Sequence, residues 1–85
     1  MSDLDQSFEA AAAASSSLPA STSNDSKLAL YGLFKQAKSG DAAGKRPGFT
    51  DPVGRAKYDA WAKNKGMPID QAKQAYVDMV TSLGN

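Results

Sequence analysis

Tyr31 and Lys35 stand four residues apart, so on an α-helix a phenol and an ammonium lie one above the other, with Lys38 close by. Read at ~100° per residue, Leu30, Leu33, Phe34 and Ala37 share one arc roughly 100° wide, enough for a single buried face. A phenol and an ammonium on the rim of that face make a seat for a phosphate beside a flat ring. A second lysine has a less ordinary place. After Asp51 the apolar arc is formed by Val53, Gly54, Tyr58, Ala60 and Trp61, and Lys57 falls inside it. Either its stem lies on the core with the ammonium in water, or its charge is wanted at the lip of an apolar surface; spacing alone leaves both open.

The rest of the composition narrows the chemistry. The 85 residues include neither cysteine nor histidine, which removes disulfides, thiolate metal sites and the usual general base. Net charge is only +1, but it is unevenly spread. Lys35, Lys38, Lys45, Arg46, Arg55, Lys57, Lys63 and Lys65 face only Asp41, Asp51 and Asp59 over the same stretch. A focused basic middle suggests an anionic ligand, and it is smaller than a duplex-binding surface needs. The acidic opening MSDLDQSFE is unlike a secretory signal and no long apolar run follows, so a cytoplasmic protein without membrane insertion is expected.

Four helices position these groups. Ser2 caps the first, expected over 3–17, whose stripe of Leu4, Phe8, Ala11, Ser15 and Leu18 is thin. Ser15 falls where burial is expected and its hydroxyl lacks an evident partner, which makes this the weakest helix. Leu18-Pro19 ends it. The second helix, 24–39, begins at Ser23 or Asn24 and closes at Gly40. The loop from Asp41 to Thr50 is long for a bundle and suits a crossing between distant ends. Asp51-Pro52 opens the third helix, 52–65, with proline at its first position. Pro68 opens the fourth, 68–83, in the same way. Its arc holds Ile69, Ala72, Tyr76, Val77, Met79, Val80 and Leu83, with Lys73 snorkelling from it. No stretch alternates with period two, so the chain reads as one all-α domain over 1–85.

Four elements of this sequence resemble the acyl-CoA-binding protein family. They are YGLFKQAKSGD at Tyr31–Asp41, RPG at Arg46–Gly48, GRAKYDAW at Gly54–Trp61 and AKQAY at Ala72–Tyr76, in the family's order and spacing. The match covers about residues 24–83; the first helix follows only loosely, through Phe8, Ala12 and Leu18. The resemblance implies an up-down-down-up four-helix bundle with the long loop crossing between the second and third helices. It implies a ligand, an acyl-coenzyme A of medium to long chain, carried and pooled by a monomer with no cofactor. Residue by residue, Lys35 and Lys57 match the pair that holds the ribose 3′-phosphate. Tyr31 matches a tyrosine at the phosphate or adenine, and Phe34 the aromatic near the adenine. Tyr76 matches a fourth-helix tyrosine reaching the ligand or the packing, and Leu28 is also placed among the ligand-binding positions. Ser16 stands where members often carry lysine, and Lys27 where they commonly carry an apolar residue.

Other classes fit less well. An enzyme has no acid–base pair to use here. A nucleic-acid binder needs aromatic residues along an open basic groove, whereas Tyr58 and Trp61 are expected on the core side. A helical protein-interaction module without a small-molecule ligand is the remaining alternative.

Overall fold

The Ser2 hydroxyl accepts the Asp5 N–H at 3.1 Å and starts α1, Asp3–Ala14, with Asp3 and Asp5 at the positive end of its dipole. In this computed structural model, which describes residues 2–84, the expected single helix over 3–17 tightens after Ala14 into a 3-10 turn at Ser15–Ser17. Met1 and Asn85, the ends of the expected domain, lie outside the described residues. The serines supply the reason. Ser15 and Ser16 donate their hydroxyls to the Ala12 and Ala13 carbonyls at 2.7 and 2.9 Å, competing with the backbone ladder. Ser15 is therefore half-buried with a partner, which corrects the expectation that its hydroxyl lacks one.

α2 occupies Asn24–Ser39 as expected, capped by Ser23 on the Ser26 N–H and closed by Gly40 at φ +77°. α3 spans Pro52–Ala62, with Asp51 accepting the Gly54 N–H at 3.0 Å. It stops three residues before the expected Lys65. Asn64 and Lys65 bond to Trp61 and Ala62 in the shorter i−3 pattern, and Gly66 turns at φ +86°. α4 covers Ile69–Gly84. Its first bond runs from Ala72 to the Pro68 carbonyl, so Pro68 caps the helix from outside its first turn.

Side-chain pairs fix the directions. Asp5 meets Lys73 and Phe8 meets Tyr76, so α1 and α4 run parallel. Phe8 stacks on Phe34 at 5.7 Å between ring centres, while Ala12, further along α1, shares a wall with Leu30, earlier in α2; these two are antiparallel. Lys57 covers Tyr31 and Lys35 covers Trp61, so α2 and α3 are parallel. The order is up, down, down, up, and the loop between α2 and α3 must return the full length of the bundle. It is laced back along α3. Trp61 Nε1 donates to the Gly40 carbonyl at 2.7 Å, Tyr58 to Gly44 at 3.1 Å, and Arg46 grips Asp59 through two bonds of 2.7 Å.

Two cores result. Phe8, Ala11, Leu30, Ala37, Ala72, Tyr76 and Val80 join α1, α2 and α4. α3 contributes nothing to that cluster and meets α2 through Ala60 and Gly32. A β-carbon on Gly32 would lie 2.2 Å from the Ala60 carbonyl oxygen, closer than side chain and backbone can approach. At the far end Gln36, 1 % exposed, donates to Asp41 at 2.9 Å and to the Met67 carbonyl at 3.0 Å. Asp41 also accepts the Gly66 N–H at 2.8 Å, so one amide ties α2 to the connection between α3 and α4.

Gly32→Ala should destabilise the fold by about 1–3 kcal/mol, because a helix backbone has to shift; a urea midpoint equal to wild type would show that α3 can simply slide. Acid should also loosen the bundle. Lys73 holds the Asp5 carboxylate below its usual value, and the Gly66 N–H does the same for Asp41. A group so lowered contributes stability that is present above about pH 4 and lost as pH falls through the folded-state value. Lys73 is raised by Asp5, so its share is present below about pH 10 and lost as pH climbs through the raised value. Asp5→Asn should flatten the acid limb of melting temperature against pH, and an unchanged limb would remove the pair from that account.

Candidate functional site

Because α1, the start of α2 and α4 meet around an incomplete apolar seam, a hollow of about 650 Å³ opens there. Tyr31, Phe34 and Tyr76 give it an aromatic wall, faced by Ser15, Ser16 and Leu18 from the end of α1 and the turn that follows. A second hollow of about 430 Å³ lies between the N-terminal ends of α2 and α3, walled by Leu28, Pro52, Val53, Ala56 and Lys57. Tyr31 and Lys27 line both. The two hollows are therefore neighbours with Tyr31 and Lys27 as their common wall, one side aromatic and the other aliphatic.

The expected residues divide between them. Leu28, Tyr31 and Lys57 meet in the second hollow; Tyr31, Phe34 and Tyr76 meet in the first. Tyr31 thus joins the two sets. Lys57 lies with its ammonium 5.4 Å from the centre of the Tyr31 ring. The arc that contains it is buried only in part, which corrects the sequence reading. Ala60 packs on Gly32 and Tyr58 and Trp61 are half-buried, whereas Lys57 is exposed and Val53 is 64 % exposed, both on the wall of the second hollow.

Lys35 borders neither hollow. Its ammonium is 4.7 Å above Trp61, and that of Lys38 is 6.0 Å from Phe34. Tyr31 and Lys35 are therefore not paired with each other on one helix: Lys35 rests on Trp61 of α3 and Lys57 of α3 rests on Tyr31, while Lys38 stays over Phe34 of its own helix. Lys73 does not snorkel to water; it meets Asp5 at 2.6 Å. Trp61 and Tyr58 reach out to hold the crossing loop, so their polar atoms are committed to Gly40 and Gly44.

Sequence reasoning gave Lys27 and Gln36 no part in the architecture. Lys27 precedes Tyr31 by four residues, the same spacing that singled out Lys35, and that signal was available. Gln36 carried none, since an amide on a helix looks solvated until the connection folds over it. Among the described residues no cluster suits a metal ion, and no helix is long and apolar enough to cross a membrane.

An up-down-down-up bundle with neighbouring aromatic and aliphatic hollows, and lysines among their lining residues, suits a small domain for binding an anionic amphiphile. The family model "Acyl CoA binding protein" matches residues 5–80. Acyl-CoA-binding protein homolog 1 of Caenorhabditis elegans is 47% identical over 77 residues, 91% of this chain and 90% of the relative. Acyl-CoA-binding domain-containing protein 1 of Oryza sativa subsp. japonica is 44% identical over 80 residues, 94% and 88% of the two chains. The crystal structure of Oryza sativa acyl-CoA-binding protein 2 superposes with a TM-score of 0.91 at 39% identity, covering 94% of this chain and 89% of that one. The chain belongs to the acyl-CoA-binding protein family.

Trp61 offers a local test of how the site is held. Trp61→Phe keeps a ring under Lys35 but leaves the Gly40 carbonyl without its donor, at a cost of about 1 kcal/mol or more. Chemical denaturation should show the loss with helix content unchanged; full stability would mean that the loop is fixed by Arg46 and Tyr58 alone.

Proposed function

We propose that the protein binds acyl-CoA thioesters of medium to long chain and serves as a cytoplasmic carrier and reservoir for them, not as an enzyme. One observation carries the reading: the Tyr31 phenol separates an aromatic hollow from an aliphatic one, with Lys57 above its ring. A ligand with a nucleotide at one end and a hydrocarbon at the other fits such a pair, and its phosphates fall near the shared wall.

In this reading the adenine lies against Phe34 and Tyr76, where stacking and edge contacts suit a flat ring. Lys57 holds the ribose 3′-phosphate, joined by the Tyr31 hydroxyl. Lys35 supports the same phosphate by leaving Trp61, one turn further along α2. The acyl chain runs over Leu28, Pro52, Val53 and Ala56, aliphatic surface that is open to solvent in the unliganded fold. Leaving a ring face for a doubly charged phosphate is favourable, because a charge-assisted hydrogen bond exceeds an exposed cation–π contact.

Calorimetric titration with coenzyme A thioesters of graded length tests this. Affinity should rise with each added methylene by up to ~0.8 kcal/mol until the aliphatic hollow is filled. Free fatty acid should bind poorly; palmitate binding as tightly as palmitoyl-CoA would reduce the protein to a generic lipid carrier. Lys57→Met should cost about 1.5–3 kcal/mol with acyl-CoA. It should also abolish most of the preference over the 3′-dephospho analogue while preserving the response to chain length. An equal preference in the two proteins would falsify the Lys57 assignment.

A further inference from the structure

The aromatic hollow is poor in charge for a site that takes a polyphosphate. Of the residues that wall it, Lys27 is the sole cation. The opposite wall offers little in its place, since the hydroxyl protons of Ser15 and Ser16 are already given to the Ala12 and Ala13 carbonyls. Phosphate oxygens accept hydrogen bonds and cannot donate them at neutral pH, so those serines meet them with their acceptor side. Lys27 is exposed, and neither ion pair among the described residues involves it. It lies one turn before Tyr31 on α2 and lines both hollows, as Tyr31 does. Lys27 therefore borders the shared wall from the α2 side, while Lys57 approaches it from α3.

We infer that Lys27 is a ligand-contacting cation that holds the diphosphate of the coenzyme, a different anionic group from the one assigned to Lys57. This rests on the functional reading above. Charge needed at one phosphate can come from either wall, and Ser16 faces the same hollow from the turn after α1. A lysine at position 16 would then substitute for the one at 27.

The test titrates wild type, Lys27→Met and Ser16→Lys/Lys27→Met with free coenzyme A, octanoyl-CoA and dodecanoyl-CoA. Thermal melts serve as the check on folding. Lys27→Met should lose about tenfold in affinity, by the same factor for all three ligands, and the gap should narrow as salt screens the contact. The double variant should recover most of it. A loss that grows with chain length would make Lys27 part of the aliphatic hollow and overturn the inference. Unchanged affinity in Lys27→Met overturns it too, while binding by wild type keeps the functional reading intact. Folded double variant without recovery overturns the claim that both positions face one phosphate. Wild type that binds no coenzyme A thioester at all overturns the functional reading, and this inference with it.

Discussion

The approach of α3 to α2 at Gly32 is the constraint from which the rest follows. With hydrogen in place of a side chain, the Ala60 carbonyl comes within 2.2 Å of where a β-carbon would stand. Two parallel helices can then close on each other at that point. The aliphatic hollow lies between their N-terminal ends, and the close approach sets Lys57 over Tyr31 and Lys35 over Trp61. A larger residue at 32 would hold the helices apart and dissolve both relations together. The parallel direction also demands the long return loop, so Arg46, Tyr58 and Trp61 serve the same geometry from outside.

The cations divide into those that meet a carboxylate and those that rest on a ring. Lys57 and Lys35 have no carboxylate partners among the described residues, whereas Arg46 and Lys73, which hold the fold, do. An aromatic face is a weak partner for an ammonium and is readily left for a phosphate. The acidic groups that bond strongly sit elsewhere, capping α3 or bracing the connections. The cations that brace the fold are thus told apart from those that rest only on rings.

Stability is divided as unevenly as function. The aromatic cluster of Phe8, Phe34 and Tyr76 joins α1, α2 and α4 with centroids 5.2–5.9 Å apart, and the alanines beside it let the helices close in. α3 lacks any such anchor and depends on α2, the loop and the buried Gln36 amide. Tyr76 and Phe34 belong to both core and hollow, so the wall of the hollow and the helix packing share the same rings.

The sequence by itself determined the number of helices, the span of α2, the caps at Ser2, Ser23 and Asp51, and the all-α class, because these depend on neighbours within a turn or two of chain. It also marked Tyr31, Phe34, Tyr76, Leu28, Lys35 and Lys57; the fold puts Phe34 and Tyr76 on one hollow, Leu28 and Lys57 on its neighbour and Tyr31 on both, and leaves Lys35 outside them. Helix ends were less legible: the serines after Ala14 and the turn after Ala62 are decided by i−3 bonds that compete closely with helix. Only the tertiary structure decided what each cation faces. Periodicity put Lys57 in a core arc and Lys35 beside Tyr31, since a helical wheel knows one helix at a time. Which part of an arc is buried depends on the partner's shape, and here Ala60 closes on Gly32 while Val53 and Lys57 of the same arc stay exposed. Gln36 and Lys27 acquire their places in the same way, from chain that arrives from far along the sequence.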